Sequence, residues 1–315
     1  YQLFSREVLL AGNNVFLTAA CLVVLLGTLL PLVHKELGMG SISIGAPFFN
    51  QMFSYLIVPF VLIMGIGPLS RWKNQPPSAL YKQLMIALGL SLSAALLVTS
   101  NFEQTAYMAT LGMVLGFWIV VTTIMEIHQR INADKTLSKQ PIFSALKKLT
   151  PSHWGMVMGH LGFAVSIMGI TLVSHYNQEK HVRMAYGETV QLMGYDFTLK
   201  GVSNLGNVVA NLEAEKRFYT VQRNTMTEAG IDTAINRDLF VALGEQLDNG
   251  DWALRIYVKP FVNWIWAGAF IMAFGGILSI SDRRYRMQKI SKKRPSVNVE
   301  KSAPVLPEVS HQDTA

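Results

Sequence analysis

A chain of 315 residues, half of them hydrophobic, with 15% charged side chains and a net charge of +7, has an ordinary overall composition. Its single cysteine, Cys21, excludes an internal disulfide, a CxxC redox motif and a zinc site built from its own thiols. The basic balance does not point to nucleic acid, because the Lys and Arg residues gather beside long stretches that carry no charge at all, a spacing foreign to soluble domains.

The first such stretch runs over residues 13–33. It is too long for the apolar core of a secretory signal and lacks a small-residue cleavage site, so it reads as a span. Residues 37–50, with Gly38, Gly40, Gly45 and Pro47, are too turn-rich for a helix. They form either a plain connector or, from the pair Phe48 and Phe49, a strip along the membrane surface. Charge-free stretches follow over 50–70, 83–100, 104–125, 154–174 and 261–281. Each has the roughly 18 residues needed to cross ~30 Å of hydrocarbon at about 1.5 Å per residue. Between the fifth and sixth, residues 189–193, 195–202, 218–222, 240–243 and 252–258 are rich in β-branched and aromatic side chains, with turns at Gly194 and Asn249-Gly250. Trp264 and Trp266 sit at the head of the last span, where indole rings favour the membrane interface. From Ser291 the tail has too little apolar surface to fold.

The fold class expected is an α-helical integral membrane protein, a bundle of six transmembrane helices with an inserted β-rich extracytoplasmic domain. Residues 1–174 hold the first five spans, 175–260 the β-rich domain, 261–281 the sixth span and 282–315 a basic, disordered cytoplasmic tail. Arg6, then Arg71, Lys73 and Lys82, then the Lys and Arg residues of 130–148 and those of the tail all lie on one side. Lys35 stands alone on the other short connections. The positive-inside rule places both termini in the cytoplasm and 175–260 outside, in the periplasm of a Gram-negative bacterium.

No nucleophile elbow, P-loop, dinucleotide turn or HExxH motif is present. Within the charge-free spans the one imidazole is His160. In hydrocarbon it needs a partner, and it can bond a facing helix, line a watery path or ligate a metal. Gly155, Gly159, Gly162, Ser166 and Gly169 make a bare stripe on its helix, a helix-packing seam or a surface on which a flat macrocycle could lie. His128 and His153 flank span ends and are expected to be solvated. Glu126 is expected to snorkel beside Arg130. His34 and His175 read as surface histidines at span ends, and His181 and His311 carry no role. Buried charges expected of an ion-coupled transporter are missing from these stretches.

The ordered segments Ser5-Arg6-Glu7, Asn13-Asn14, Ile42-Ser43-Ile44-Gly45-Ala46-Pro47, Trp154-Gly155-Met156, Gly159-His160-Leu161-Gly162, Glu215-Lys216-Arg217-Phe218-Tyr219, Arg237-Asp238-Leu239, Lys259-Pro260-Phe261 and Trp264-Ile265-Trp266 resemble the C-terminal half of the cytochrome c maturation protein F (CcmF) family. The resemblance covers nearly everything before about residue 290. It implies a membrane haem lyase subunit that takes haem from a periplasmic haem chaperone and promotes its attachment to the CxxCH cysteines of apocytochrome c, among other maturation subunits. It further implies a membrane-embedded haem b, with His160 matching one of two axial histidines. The tryptophan-rich haem-receiving segment, its flanking histidines and the second axial ligand belong to the family's upstream half. The chain, starting at Tyr1, is therefore expected to be a fragment or a split product needing that N-terminal half, and not to complete the lyase reaction alone. The rival readings are a haem or small-molecule transporter and a structural membrane subunit without a redox role.

Overall fold

The computed structural model describes residues 5–71, 77–102, 106–200, 211–219 and 224–282. Among them six helices are long and apolar enough to cross a membrane. They are α1 (Arg6–Glu36), α2 (Ala46–Ile66), α3 (Pro77–Thr99), α4 (Tyr107–Ala133), α6 (Pro151–Tyr176) and α7 (Val262–Ile280), with a short α5 (Ile142–Lys147) before α6. Several overrun the charge-free stretches. α1 takes in Arg6 and Glu7 at one end and Lys35 and Glu36 at the other, and α4 runs on through Glu126 and Arg130. A helix satisfies its own backbone, so it continues past the hydrocarbon while long charged side chains reach for water.

The connector before α2 is shorter than residues 37–50. Helix starts at Ala46 with Pro47 in the first turn, where its fixed φ suits the helix and its missing N–H costs nothing. Phe49 then turns onto α1, so close that a methyl on Gly27 would lie 2.6 Å from its ring. The phenylalanine pair thus makes a contact between α1 and α2, with Phe48 still 37% exposed. α4 stands centrally, packed against α2, α3 and α6. Trp118, Ile119, Val61 and Ala164 lie at the centre of its core.

The sheet grows out of the helices. α6 ends at Tyr176 and β1 (Gln178–Met184) begins two residues later. β2 (Thr189–Leu192), β3 (Tyr195–Thr198), β4 (Glu215–Tyr219), β5 (Asn224–Glu228), β6 (Gly230–Thr233), β7 (Arg237–Gln246) and β8 (Trp252–Pro260) follow, and β8 leads through Phe261 into α7. The main sheet has the order β1-β8-β7-β6, with β2-β3 and β4-β5 as separate hairpins. Gln178 pairs with Val258 and Met184 with Trp252, so the antiparallel strands β1 and β8 extend the antiparallel helices α6 and α7. Leu239 and Val241 of β7 alternate inward with Leu254, Ile256 and Val258 of β8, the period of two that a one-sided core requires. Gly194 and Gly250 take positive φ at the two expected turns. Parts of the stretches 195–202 and 218–222 and the tail 283–315 lie outside the described residues.

Candidate functional site

α6 is fixed at its start by three devices. Thr150 caps it, its hydroxyl accepting from the His153 N–H at 3.3 Å, and Pro151 fills the first helical position. The Asp282 carboxylate, at the end of α7, accepts from the Ser152 N–H at 3.2 Å, an anion at the positive end of the helix dipole.

Two faces of α6 do different things. Gly155, Gly162 and Gly169 meet α7 backbone to backbone. A methyl on Gly162 would lie 2.6 Å from the Gly268 carbonyl oxygen, and one on Gly155 2.6 Å from that of Gly275. Ser166 donates across the seam to the Ile265 carbonyl at 3.2 Å. At 3.6 residues per turn these positions lie about 120–180° around the helix from His160. The small-residue stripe is therefore the α6–α7 seam and not a surface on which a macrocycle could lie beside His160. Gly159 is the exception, with no atom within 4 Å of where its Cβ would stand.

His160 occupies the opposite face, nine residues into the helix from Pro151, or about 13 Å. Its Nδ1–H donates to the Met156 carbonyl at 2.9 Å, one turn below, so in this tautomer Nε2 carries the lone pair. A backbone hydrogen-bonding group of Met64 on α2 also lies within reach of the ring. Phe163, one turn on, packs edge-to-face on Phe60 of α2 at 5.7 Å. The site is thus an imidazole oriented by its own helix, beside the open ground at Gly159. That arrangement fits one axial ligand to a planar metal cofactor. Among the described residues no group of three or more His, Cys, Asp and Glu side chains forms a separate metal cluster.

Two turns below His160 the structure overturns a sequence expectation. His153 is 5% exposed and Glu126 6% exposed, and His153 Nε2 stands 3.4 Å from Glu126 Oε2. Arg130 reaches the other carboxylate oxygen at 3.4 Å. His153 is buried rather than solvated, and Glu126 is buried beside it with Arg130 as its cation, rather than snorkelling. The available signal was that both residues lie at the same-side ends of antiparallel spans. His128 is exposed against Asn132, the His34 Nδ1–H donates to the Gly40 carbonyl at 2.9 Å, His175 is exposed, and His181 pairs with Glu179. None of them approaches His160, and His311 lies outside the described residues.

Compared with known proteins, the chain is 47% identical over 302 residues to the cytochrome c-type biogenesis protein CcmF of Escherichia coli strain K12, an alignment covering 90% of this chain and 45% of that protein. This chain matches the C-terminal part of CcmF. The CcmF of Pseudomonas aeruginosa is 39% identical over 316 residues, covering 95% of this chain and 47% of its own length. Residues 202–260 match a family model described as the CcmF C-terminal beta-sandwich. A solved structure titled Cytochrome c Heme Lyase CcmF superposes with a TM-score of 0.66 at 21% identity, over 89% of this chain and 46% of that one. At that identity the superposition shows the shared fold alone. The chain spans just under half the length of the CcmF relatives it matches.

Proposed function

We propose that this chain serves cytochrome c biogenesis as the C-terminal portion of a CcmF-type haem lyase and holds a membrane-embedded haem b through His160. The observation that carries the reading is the His160 imidazole at hydrocarbon depth, its Nδ1–H engaged by Met156, its neighbour Gly159 facing open space. A bound haem b supplies one-electron reduction. His160 would lend its Nε2 lone pair, and the Met156 carbonyl fixes the tautomer and the ring's orientation. A second protein ligand to that haem would come from the family's N-terminal half. His153 is no substitute, since it lies seven residues, about 10 Å, along the same helix and is engaged by Glu126.

The remaining assignments follow from this reading. The β-domain presents itself to the periplasmic haem chaperone, to apocytochrome c and to other maturation subunits, and thioether formation belongs to the complete assembly. The Lys and Arg asymmetry supports a bacterial inner-membrane location with both termini cytoplasmic. An impermeant thiol reagent on intact spheroplasts, in a Cys21→Ser background, should label Asn249→Cys and spare Asn132→Cys; the reverse would invert the topology.

The haem reading is tested by co-expressing this chain with the N-terminal half of a CcmF relative and recording absorption spectra and potential. A low-spin, bis-histidine spectrum is expected, lost in His160→Ala. His160→Met should retain some haem at a shifted potential, because the axial ligand sets how firmly iron holds its electron. A normal low-spin spectrum and potential in His160→Ala would reduce His160 to a packing residue.

A further inference from the structure

The turn between β6 and β7, Ala234-Ile235-Asn236, is lashed to the head of α7. Asn263 Nδ2 donates to the Ala234 carbonyl at 2.7 Å and to Asp238 Oδ1 at 3.1 Å. The Phe261 N–H donates to the Asn236 carbonyl at 3.0 Å. Beneath the turn lies a cleft of roughly 490 Å³, lined by Val165 of α6, Ala234 and Ile235 of the turn, and Trp264 and Ala267 of α7.

Depth decides what this cleft meets. Ala267 is five residues, about 8 Å, beyond the start of α7, and Val165 is eleven residues, about 16 Å, short of the end of α6. Both belong to stretches that cross the membrane. On the Ala267 face of α7 the next turn presents Phe270, 71% exposed, and the neighbouring Trp266 is 63% exposed. The apolar lining therefore runs without interruption into the lipid-facing surface of α7. Ile235 at the tip of the turn is 82% exposed, a costly arrangement in water for a side chain this size. Its shoulders are charged, for Asp232 and Arg237 pair across the base of the turn. An apolar tip between charged shoulders, beside interfacial indole rings, is the pattern of a segment seated at the boundary of headgroups and hydrocarbon.

We propose that this cleft takes a phospholipid acyl chain from the leaflet on the β-domain side, and that the Ile235 turn is a membrane anchor fixing the sheet to the bilayer. The anchor requires neither haem nor a particular sidedness. It gives the β-domain a hold on the membrane besides the two chain connections through α6 and α7, and it keeps the cleft closed to water.

The test uses the full chain in phospholipid nanodiscs, in a Cys21→Ser background, with a nitroxide on Ile235→Cys or on Asn249→Cys at the far end of the β7–β8 hairpin. For the Ile235 label, collisions with oxygen should exceed those with a water-soluble nickel chelate several-fold, and doxyl lipid should broaden its spectrum. The Asn249 label should show the reverse preference. Adding Asn263→Ala, which frees the turn, should lower the oxygen-to-nickel ratio at Ile235. A nickel chelate that reaches Ile235 as readily as Asn249 would overturn the anchor. A label shielded from nickel, oxygen and doxyl lipid together would show a protein covering and overturn the lipid assignment.

Discussion

Gly162→Ala should separate α6 from α7 and cost about 2 kcal/mol. The added methyl would stand 2.6 Å from the Gly268 oxygen, 2.7 Å from the Met272 nitrogen and 2.8 Å from Met272 Cγ. Ordinary contact begins near 3.4 Å, so the two helices must part locally by about 0.8 Å. No side chain can swing aside, because the first two obstacles are backbone. A gap of that size forfeits roughly a quarter to a half of the dispersion well for each facing atom. It also stretches the Ser166 bond to Ile265, now 3.2 Å, a contact of a kind worth about 0.6 kcal/mol inside a membrane. Together these fall within the roughly 1–3 kcal/mol typical of overpacking.

The control lies three residues away. A methyl at Gly159 meets nothing within 4 Å, so Gly159→Ala should leave stability unchanged or slightly raised, since Ala is the better helix former. Reversible unfolding in mixed micelles of rising SDS fraction, followed by the fluorescence of Trp264 and Trp266, compares the two variants directly. Equal stability of Gly162→Ala and the parent, or equal damage at both glycines, would refute the two-faced reading of α6.

Three more outcomes are expected from the same geometry. Asp282→Ala removes the acceptor for the Ser152 N–H and the anion at the α6 N-terminus, and should cost about 1–2 kcal/mol in the same unfolding assay. Burial raises the Asp238 carboxyl above its usual range, against the lowering effect of the Asn263 bond. The folded state therefore favours the protonated acid, so this contribution is full at pH below the usual carboxylate value and is lost as pH rises through the raised one. Asp238→Asn keeps an acceptor for Asn263 and should flatten that fall in thermal stability as pH rises above the usual carboxylate value. His153→Ala removes a buried side chain whose Nε2 stands 3.4 Å from Glu126 Oε2 without a hydrogen bond, and the cavity left should cost on the order of 2 kcal/mol. Glu126→Gln, which keeps the shape and removes the buried charge, should cost less; the opposite ranking in the SDS titration would refute the packing role of His153.

The spans were legible because hydropathy adds up along a helix without any tertiary knowledge. Their ends were not, since Arg6, Lys35 and Arg130 continue helices in the interface where charge no longer argues against them. The hairpins at Gly194 and Asn249-Gly250 were legible through local turn chemistry. β1 was not: Gln178-Glu179-Lys180-His181 shows no alternation, and it is a strand because β8 offers it a ladder. Its exposed charged side chains are those of an edge. At the site, His160 stood out as an imidazole among apolar residues. The Glu126–His153 pair did not, because its meaning depends on which helix ends meet. The seam was foreseeable as a seam, but its direction relative to His160 needed the angular arithmetic of the helix and the position of α7.

Only Asn177 separates α6 from β1, and only Phe261 separates β8 from α7. Phe261 itself sits in the left-handed region at φ 57°, a cost to a residue with a Cβ that the flanking bonds must offset. Its N–H is held by Asn236 and its ring packs edge-to-face on Trp264 at 5.0 Å, so the joint is braced rather than loose. The antiparallel strand pair β1–β8 continues the antiparallel helix pair, and the glycine seam brings the two helix backbones into direct contact. On the side of α6 toward α2, Phe163 packs edge-to-face on Phe60 and a backbone group of Met64 lies beside the His160 ring. His160 therefore stands on the face of α6 turned away from the α7 seam, toward α2.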